Sequence, residues 1–342
     1  MLSTWREPCS LRATTKNHPQ PMNSTHSNKA VRRQHSVFYS SPQIPDGAVE
    51  FYRHMLLEDV SLGIMPIGGR SSRAGFSVTI SPANERAEEI IVEGLRSGGF
   101  GSYHRDSLAD TMYEFFRLLA AELCAADRAT YEIVYFEEPE TRTFTGFQLV
   151  FINEEQLVKK RGQMYQAVPP EVARERHVAE LIRLPMEDLL VFKPPAAYER
   201  ALRDMRASLS ELDGMRFPSL ALEAMQKNMP YDFKAHERST KLALLEAVKP
   251  IGWNARGSFD GLIMSYYLVH LMIGFERFKV QLRDSMLATL NTGLERIGGK
   301  IGFQARIRID GLPTLSDVDT ANHNLNSGTM PFTEVMKCLE LR

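Results

Sequence analysis

The stretch whose residue types point most directly to chemistry is Gly68-Gly69-Arg70-Ser71-Ser72-Arg73-Ala74-Gly75. Glycines free the backbone amides to turn inward, and two arginines supply charge, which together suit a cradle for a phosphate chain. That chemistry also needs a buried apolar strand before the loop, a helix after it and usually a downstream lysine. Here Leu62-Gly63-Ile64-Met65-Pro66-Ile67 precedes it, interrupted by Pro66, and Phe76-Ser77-Val78-Thr79-Ile80 follows with the alternation of a strand. The context favours a basic loop joining two elements over a nucleotide site.

Other chemistry is sparse. The nine histidines form no HxH or HExxH arrangement, and His270 falls in an apolar periodic stretch where a hydrogen-bonded core histidine is expected. Glu88-Glu89 and Glu154-Glu155 are neighbours in the chain and so have no common target. Cys9, Cys124 and Cys338 are far apart, odd in number and without a CxxC pair, which indicates neither disulfides nor zinc and points to a reducing compartment. Cys124 borders an apolar stripe with no base placed near it, the setting of a small core residue. No G-x-S-x-G, Walker or Rossmann pattern is present. The expectation is a protein without catalysis, metal or cofactor.

Composition bounds the rest. A chain of 342 residues at 43% hydrophobic content can bury a substantial core in two or three domains. Forty-one basic and 42 acidic residues leave a net charge of −1, so no overall field draws the protein onto nucleic acid. No uncharged apolar run is long enough to span a membrane. Met1 to Ser41 is polar and rich in Ser, Thr, Asn, Pro and His, with Arg6, Arg12, Lys16, Lys29, Arg32 and Arg33 against Glu7. It reads as a disordered basic arm, either a solvated tail or one that binds a neighbouring subunit or DNA.

The positioning elements follow in order. Ala48–Val60 predicts a short helix; Ser81-Pro82 with Glu85 opens another; Asp106 or Ser107 opens a third, with Met112, Phe115, Phe116, Leu119 and Leu123 in one stripe. From Ala129 to Phe192 the period shifts to two, which predicts a mixed or antiparallel sheet with turns at 137–140 and 159–162. The acidic 137–140 and basic 159–161 runs are read as solvated turns, with complementary patches between subunits as the alternative. Lys193-Pro194-Pro195 marks a boundary. Beyond it Tyr198, Leu202, Met205, Leu209 and Leu212 trace a helix, 214–234 an irregular excursion, and Glu237–Val248 another helix.

The last third is dominated by one apolar-periodic stretch, Phe259 to Ile297, on the order of 55 Å long as a helix, with Gly274 as a candidate bend and Gly298-Gly299 as its end. Ile301, Phe303, Ala305, Ile307 and Ile309 then alternate with Gly302, Gln304, Arg306, Arg308 and Asp310, predicting a strand with one oily and one cationic face. Thr314 or Ser316 caps a helix carrying Asp317 and Asp319 in its first turn; Asn326-Ser327-Gly328 stops it, and Pro331-Phe332 begins the next.

A long helix, an Arg-bearing strand, "GLPT" at 311–314 and "DVDTANHNLNSGTMPFTEVMKCLE" at 317–340 together resemble the C-terminal end of the portal proteins of tailed bacteriophages, the head-tail connectors. "LCAADRATYEIVYF" at 123–136 resembles the portal helix entering a first wing strand. "LIRLPMEDLLVFKPP" at 181–195 resembles the strand pair leading to the stem. The likeness covers Asp106 to Glu334 in outline. It implies an α+β portal-like fold with a mixed or antiparallel wing sheet with helices, stem helices and one long helix. The divisions it implies are 1–41 disordered basic tail, 42–193 wing-like domain, 194–249 stem-like helices with a short clip-like excursion at 214–234, 250–257 tunnel-like loop, and 258–342 long helix, strand and small C-terminal helical region.

The function the resemblance implies is a homo-oligomeric ring, a dodecamer, at one capsid vertex of the virion. Double-stranded DNA would be packaged and ejected through it, bound without sequence preference. Its partners would be the terminase, the major capsid protein and tail adaptor proteins, with assembly in the host cytoplasm and no membrane. By the same resemblance the segment Pro250-Ile251-Gly252-Trp253-Asn254-Ala255-Arg256-Gly257 corresponds to a loop in the channel, with Trp253, Asn254 and Arg256 touching the duplex. The alternative for this segment is a helix–helix loop with Trp253 folded into the core. The alternatives for the whole chain are a nucleotidyltransferase, whose "GGRSSRxG" loop 68–75 resembles, and another capsid-associated adaptor or structural protein.

Overall fold

The computed structural model describes residues 30–38, 50–65, 75–96, 107–215 and 232–338. The elements in chain order are β1 (Val31–Arg33), α1 (Phe51–Gly63), β2 (Ser77–Ser81), α2 (Glu85–Arg96), α3 (Leu108–Ala125), β3 (Ala129–Glu137), β4 (Phe144–Ile152), β5 (Leu157–Lys160), β6 (Gln163–Ala167), α4 (Pro170–Arg176), β7 (Leu181–Leu184) and β8 (Leu189–Phe192). They continue with α5 (Ala196–Met215), α6 (Phe233–Val248), α7 (Ser265–Ile301), β9 (Arg306–Asp310), α8 (Leu315–Ser327) and α9 (Phe332–Cys338). The α+β expectation holds, and all strand pairs among the described residues are antiparallel.

The expected single sheet over 129–192 divides in two. β3 pairs along one edge with β4, and its other edge is shared by β8 at Ala129–Glu132 and β1 at Tyr135–Glu137. β5, β6 and β7 form a separate sheet over a small apolar cluster of Ile152, Met164, Leu184 and Leu189. β1 corrects the expectation of a wholly disordered 1–41 arm: residues 30–38 run along the sheet, although Val31, Arg32 and Arg33 are all exposed. Exposed side chains leave no apolar alternation, so the pairing has no sequence signal.

The stripe on α3 is buried as its spacing dictates, with Met112, Phe116 and Leu119 fully inaccessible and Ser107 capping the helix by accepting from Asp110 N. One apolar core runs from α1, α2 and α3 through β3, β4 and β8 to α5, α6 and the C-terminal half of α7. The Pro194-Pro195 linker therefore separates elements but not cores, since Leu202, Met205 and Leu209 of α5 lie in the same cluster as Phe116. Each such side chain contributes about 1.5–3 kcal/mol of burial.

α7 spans 37 residues without a break, and its N-terminal half forms a second small core with α8 and α9 through Val269, Ile273, Val280, Val318, Leu325 and Val335. Two boundaries differ from the sequence expectation. Leu262 and Ile263 precede the helix in a turned segment, where Gly257 and Gly261 have positive φ. At the other end Gly298-Gly299 do not stop it; Gly302, at φ 94°, supplies the left-handed cap. Thr314 and Asp317 form the reciprocal capping box of α8.

β9 pairs with β2 rather than with the wing sheets, placing Ile307 opposite Ile80. Its other edge meets Asn291 of α7, whose Oδ1 accepts from Ile307 N at 2.8 Å and whose Nδ2 donates to Ile307 O at 3.0 Å. This buried amide substitutes for a neighbouring strand. Asn291→Ala strands both Ile307 groups, and a stability loss of about 2–3 kcal/mol in urea unfolding is the expected result.

Candidate functional site

The segment 250–257, in the loop before α7, carries Trp253, Asn254 and Arg256, and its geometry begins with two glycines. At Gly252, φ is 80°, and a Cβ there would lie 2.4 Å from Leu271 O and from Phe275 N of α7. Gly274 faces it on the helix, with Gly252 Cα 3.5 Å from where its own Cβ would be. Gly274 is therefore a crossing point of loop and helix. The backbone of the loop lies directly on the long helix, a contact that only a residue without a side chain permits.

That crossing turns Trp253 inward. The indole is fully buried, and its Nε1–H donates to Asp59 Oδ2 of α1 at 2.8 Å. Three consecutive residues, Ala255, Arg256 and Gly257, then take left-handed backbone conformations, at about 1–2 kcal/mol for each non-glycine. The Asn254 side chain supports the turn by accepting from Arg256 N at 3.2 Å. Arg256 reaches back to α1: its Nε donates to Asp59 Oδ1 at 2.8 Å and an Nη to Glu58 Oε2 at 2.7 Å. These hydrogen bonds, that to Asp59 first, raise the Arg256 pKa above its ordinary value.

Trp253 lies in the core, as the alternative reading of this segment has it, and Asn254 and Arg256 are hydrogen-bonded within the protein. Trp253 has no surface to offer, Asn254 is spent on its own loop, and Arg256 is neutralised by two carboxylates. The three residues are brought together, but as a buttress holding α1 against the start of α7. Glu58 and Asp59 complete it and were missed, because nothing in the sequence links positions almost 200 residues apart.

α1 is held at its other end too. Its preceding residue, Glu50, makes no capping bond. Instead Asp213, at the end of α5 and 6% exposed, accepts from Tyr52 N at 2.8 Å and Arg53 N at 3.4 Å. A carboxylate from another helix thus fills the position where the macrodipole favours negative charge.

The paired helices α5 and α6 are more open. α5 buries Leu202, Met205, Leu209 and Leu212, while Arg200, Arg203, Ala207 and Glu211 face outward. α6 buries Leu244 and Val248 and leaves Phe233, Ala235, Arg238, Ser239, Leu242, Ala243 and Glu246 exposed. Most of the clip-like excursion between them, 216–231, lies outside the described residues, as does 68–74 of the glycine-arginine loop. Immediately after that loop comes a strand, β2, where a phosphate cradle would need a helix N-terminus.

Burial pushes the Cys124 thiol up to about 12, so it carries no thiolate at neutral pH. His270 packs its ring edge-on to Tyr266, centroids 4.5 Å apart. Among the described residues no group of three or more His, Cys, Asp or Glu is arranged to hold a metal ion, and no helix is long and apolar enough to cross a membrane.

No protein-family model matches this sequence, and no curated protein matches it. Among solved structures the chain is similar to one from the neck of a native GTA particle computed with C12 symmetry. The two share 12% identity and a TM-score of 0.44, over 85% of this chain and 89% of that one.

Proposed function

We propose that this chain is the subunit of a portal-type ring at a capsid vertex of a tailed phage or phage-like particle, a conduit for double-stranded DNA that performs no catalysis. One arrangement carries the reading. Two packed helices, α5 and α6, follow an antiparallel wing-like sheet and lead through a tightly packed loop into the 37-residue α7, which touches β4, β8 and β9 as well as α3, α8 and α9. The order of sheet, helix pair, loop and long helix is the order that the sequence resemblance implies.

A ring needs heterologous contacts, in which one face of each copy meets a different face of the next. The outward sides of α5 and α6 supply two such faces. Outward on α5 stand Arg200 and Arg203, paired with Asp204 and Asp127, and outward on α6 stands Glu246. Terminase, capsid and tail proteins are the partners that this reading assigns to the ring.

Light scattering and negative-stain images test the proposal. The expected result is one particle of about twelve copies of the 38.8 kDa chain, with an axial hole. A stable monomer at high concentration overturns it, and a closed ring without a channel selects a capsid-associated adaptor instead.

A further inference from the structure

A buried carboxylate in the middle of a sheet requires an explanation. Glu132 of β3 is 1% exposed, and its partners are main-chain groups: Oε1 accepts from His35 N at 2.6 Å and Oε2 from Ser36 N at 2.9 Å. One residue farther along, Gln166 of β6, also 1% exposed, accepts from Val37 N and donates to Val37 O, both at 2.8 Å. Its amide is held in turn by Gln156 Oε1 at 3.0 Å. Two buried polar side chains from two sheets thus read the backbone of three successive residues, and β1 extends the contact by pairing with Tyr135–Glu137.

This is a built groove for an extended strand. It recognises main chain, the mode by which peptides add to sheets, and filling it gives the Glu132 carboxylate the partners that its burial there requires. The segment that fills it is weakly tied to the rest of its own chain. Of residues 30–38 only Ser36 is buried, while Val31 is 46% and Phe38 69% exposed. Hydrogen bonds, the Arg33–Glu137 ion pair and a His35–Asp188 contact hold it in place, with no apolar anchor.

We propose that this groove is a strand-acceptor site filled in the assembly by residues 30–38 of the neighbouring copy, so that each chain lends its arm to the next. The neighbour itself rests on the ring reading above. Exchange keeps every hydrogen bond, since the same peptide enters the same groove, and it converts contacts within a chain into links between chains. The eleven residues from 39 to 49 separate the arm from Glu50; fully extended they reach about 36–40 Å, enough to cross to an adjoining subunit. Once neighbours are in contact, a tethered arm experiences a high effective concentration of the adjacent groove. Phe38, left in solvent where the arm leaves the groove, then gains an opportunity for cover at the junction.

The register supplies the test. Val31 lies directly opposite Glu137, so Val31→Cys with Glu137→Cys, in a chain whose Cys9 and Cys338 are changed to Ser, can be bridged by a short bis-maleimide. A denaturing gel of the assembled protein is expected to show a ladder of covalent dimers, trimers and higher species. Linked peptide confined to the monomer band overturns the exchange. Co-expressing a tagged V31C chain with an untagged E137C chain gives a second readout, because a covalent heterodimer forms only in trans; its absence beside efficient intramolecular linkage likewise refutes the proposal. Light scattering on the same samples separates the two ideas. A ring with monomer-only linkage removes the exchange and leaves the ring, whereas linked pairs without a ring keep the exchange and remove the ring.

Discussion

Gly252→Ala is expected to abolish or severely weaken folding, with a loss above about 3 kcal/mol, while Gly274→Ala, its partner across the same contact, is expected to stabilise by about 0.5–1 kcal/mol. At Gly252 the new methyl would sit 2.4 Å from two backbone atoms of α7, Leu271 O and Phe275 N, and its φ of 80° adds left-handed strain. Backbone atoms cannot rotate away as the end of a flexible side chain can, so the loop must lift from the helix. Lifting it withdraws Trp253 from the core and breaks its bond to Asp59. At Gly274 the same methyl meets only Gly252 Cα, at 3.5 Å, an ordinary contact, and it removes the entropic disadvantage of glycine inside a helix. Urea unfolding of both variants checks the pair. Equal effects at the two positions would mean that the loop does not rest on α7 as described.

Glu132→Ala carries the second large effect. It leaves the His35 N–H, part-buried, and the Ser36 N–H, buried, without their acceptor, and hydrogen bonds to a charged group are worth about 1.5–3 kcal/mol each. Relief of the buried charge offsets part of this, and a net loss of about 2–4 kcal/mol is expected. Its signature is local. Hydrogen exchange at 35–37 and proteolysis around the arm should accelerate sharply, while α3 and the β3–β4 pair keep their protection. A uniform loss of protection would instead make the arm an integral part of the core.

Periodicity carried the sequence reading where burial is one-sided. The α3 stripe, the alternation around Ile307 and the Thr314 and Asp317 cap all appear where their residue types require. The reading failed where tertiary contact overrides local preference. Gly298 belongs to the last turn of α7 because a Cβ there would strike Phe303 O at 2.3 Å; the glycine permits the chain to fold back beneath the helix, a role that reads as a stop signal in sequence. Trp253 folds into the core as one of the two readings of its segment has it, yet the partners of Trp253 and Arg256, Glu58 and Asp59, lie on a helix that no spacing rule connects to them. The strand within the basic arm gave no signal for the opposite reason. Its side chains are exposed, and what fixes it is main chain, which sequence does not display.

The shared edge of β3 has a consequence for the order in which the molecule is made. β1 leaves the ribosome before its groove exists, since Glu132 and Gln166 are translated about a hundred and more residues later, and pairings of such separation close slowly. The β3–β4 hairpin is local and forms early; β8 then zips onto Ala129–Glu132. Only the stretch at Tyr135–Glu137 stays open for the arm. On a polysome, where sister chains emerge side by side, the vacant edge and the waiting arms coexist for the whole of that interval, so the choice of which chain's arm enters becomes a matter of timing during synthesis.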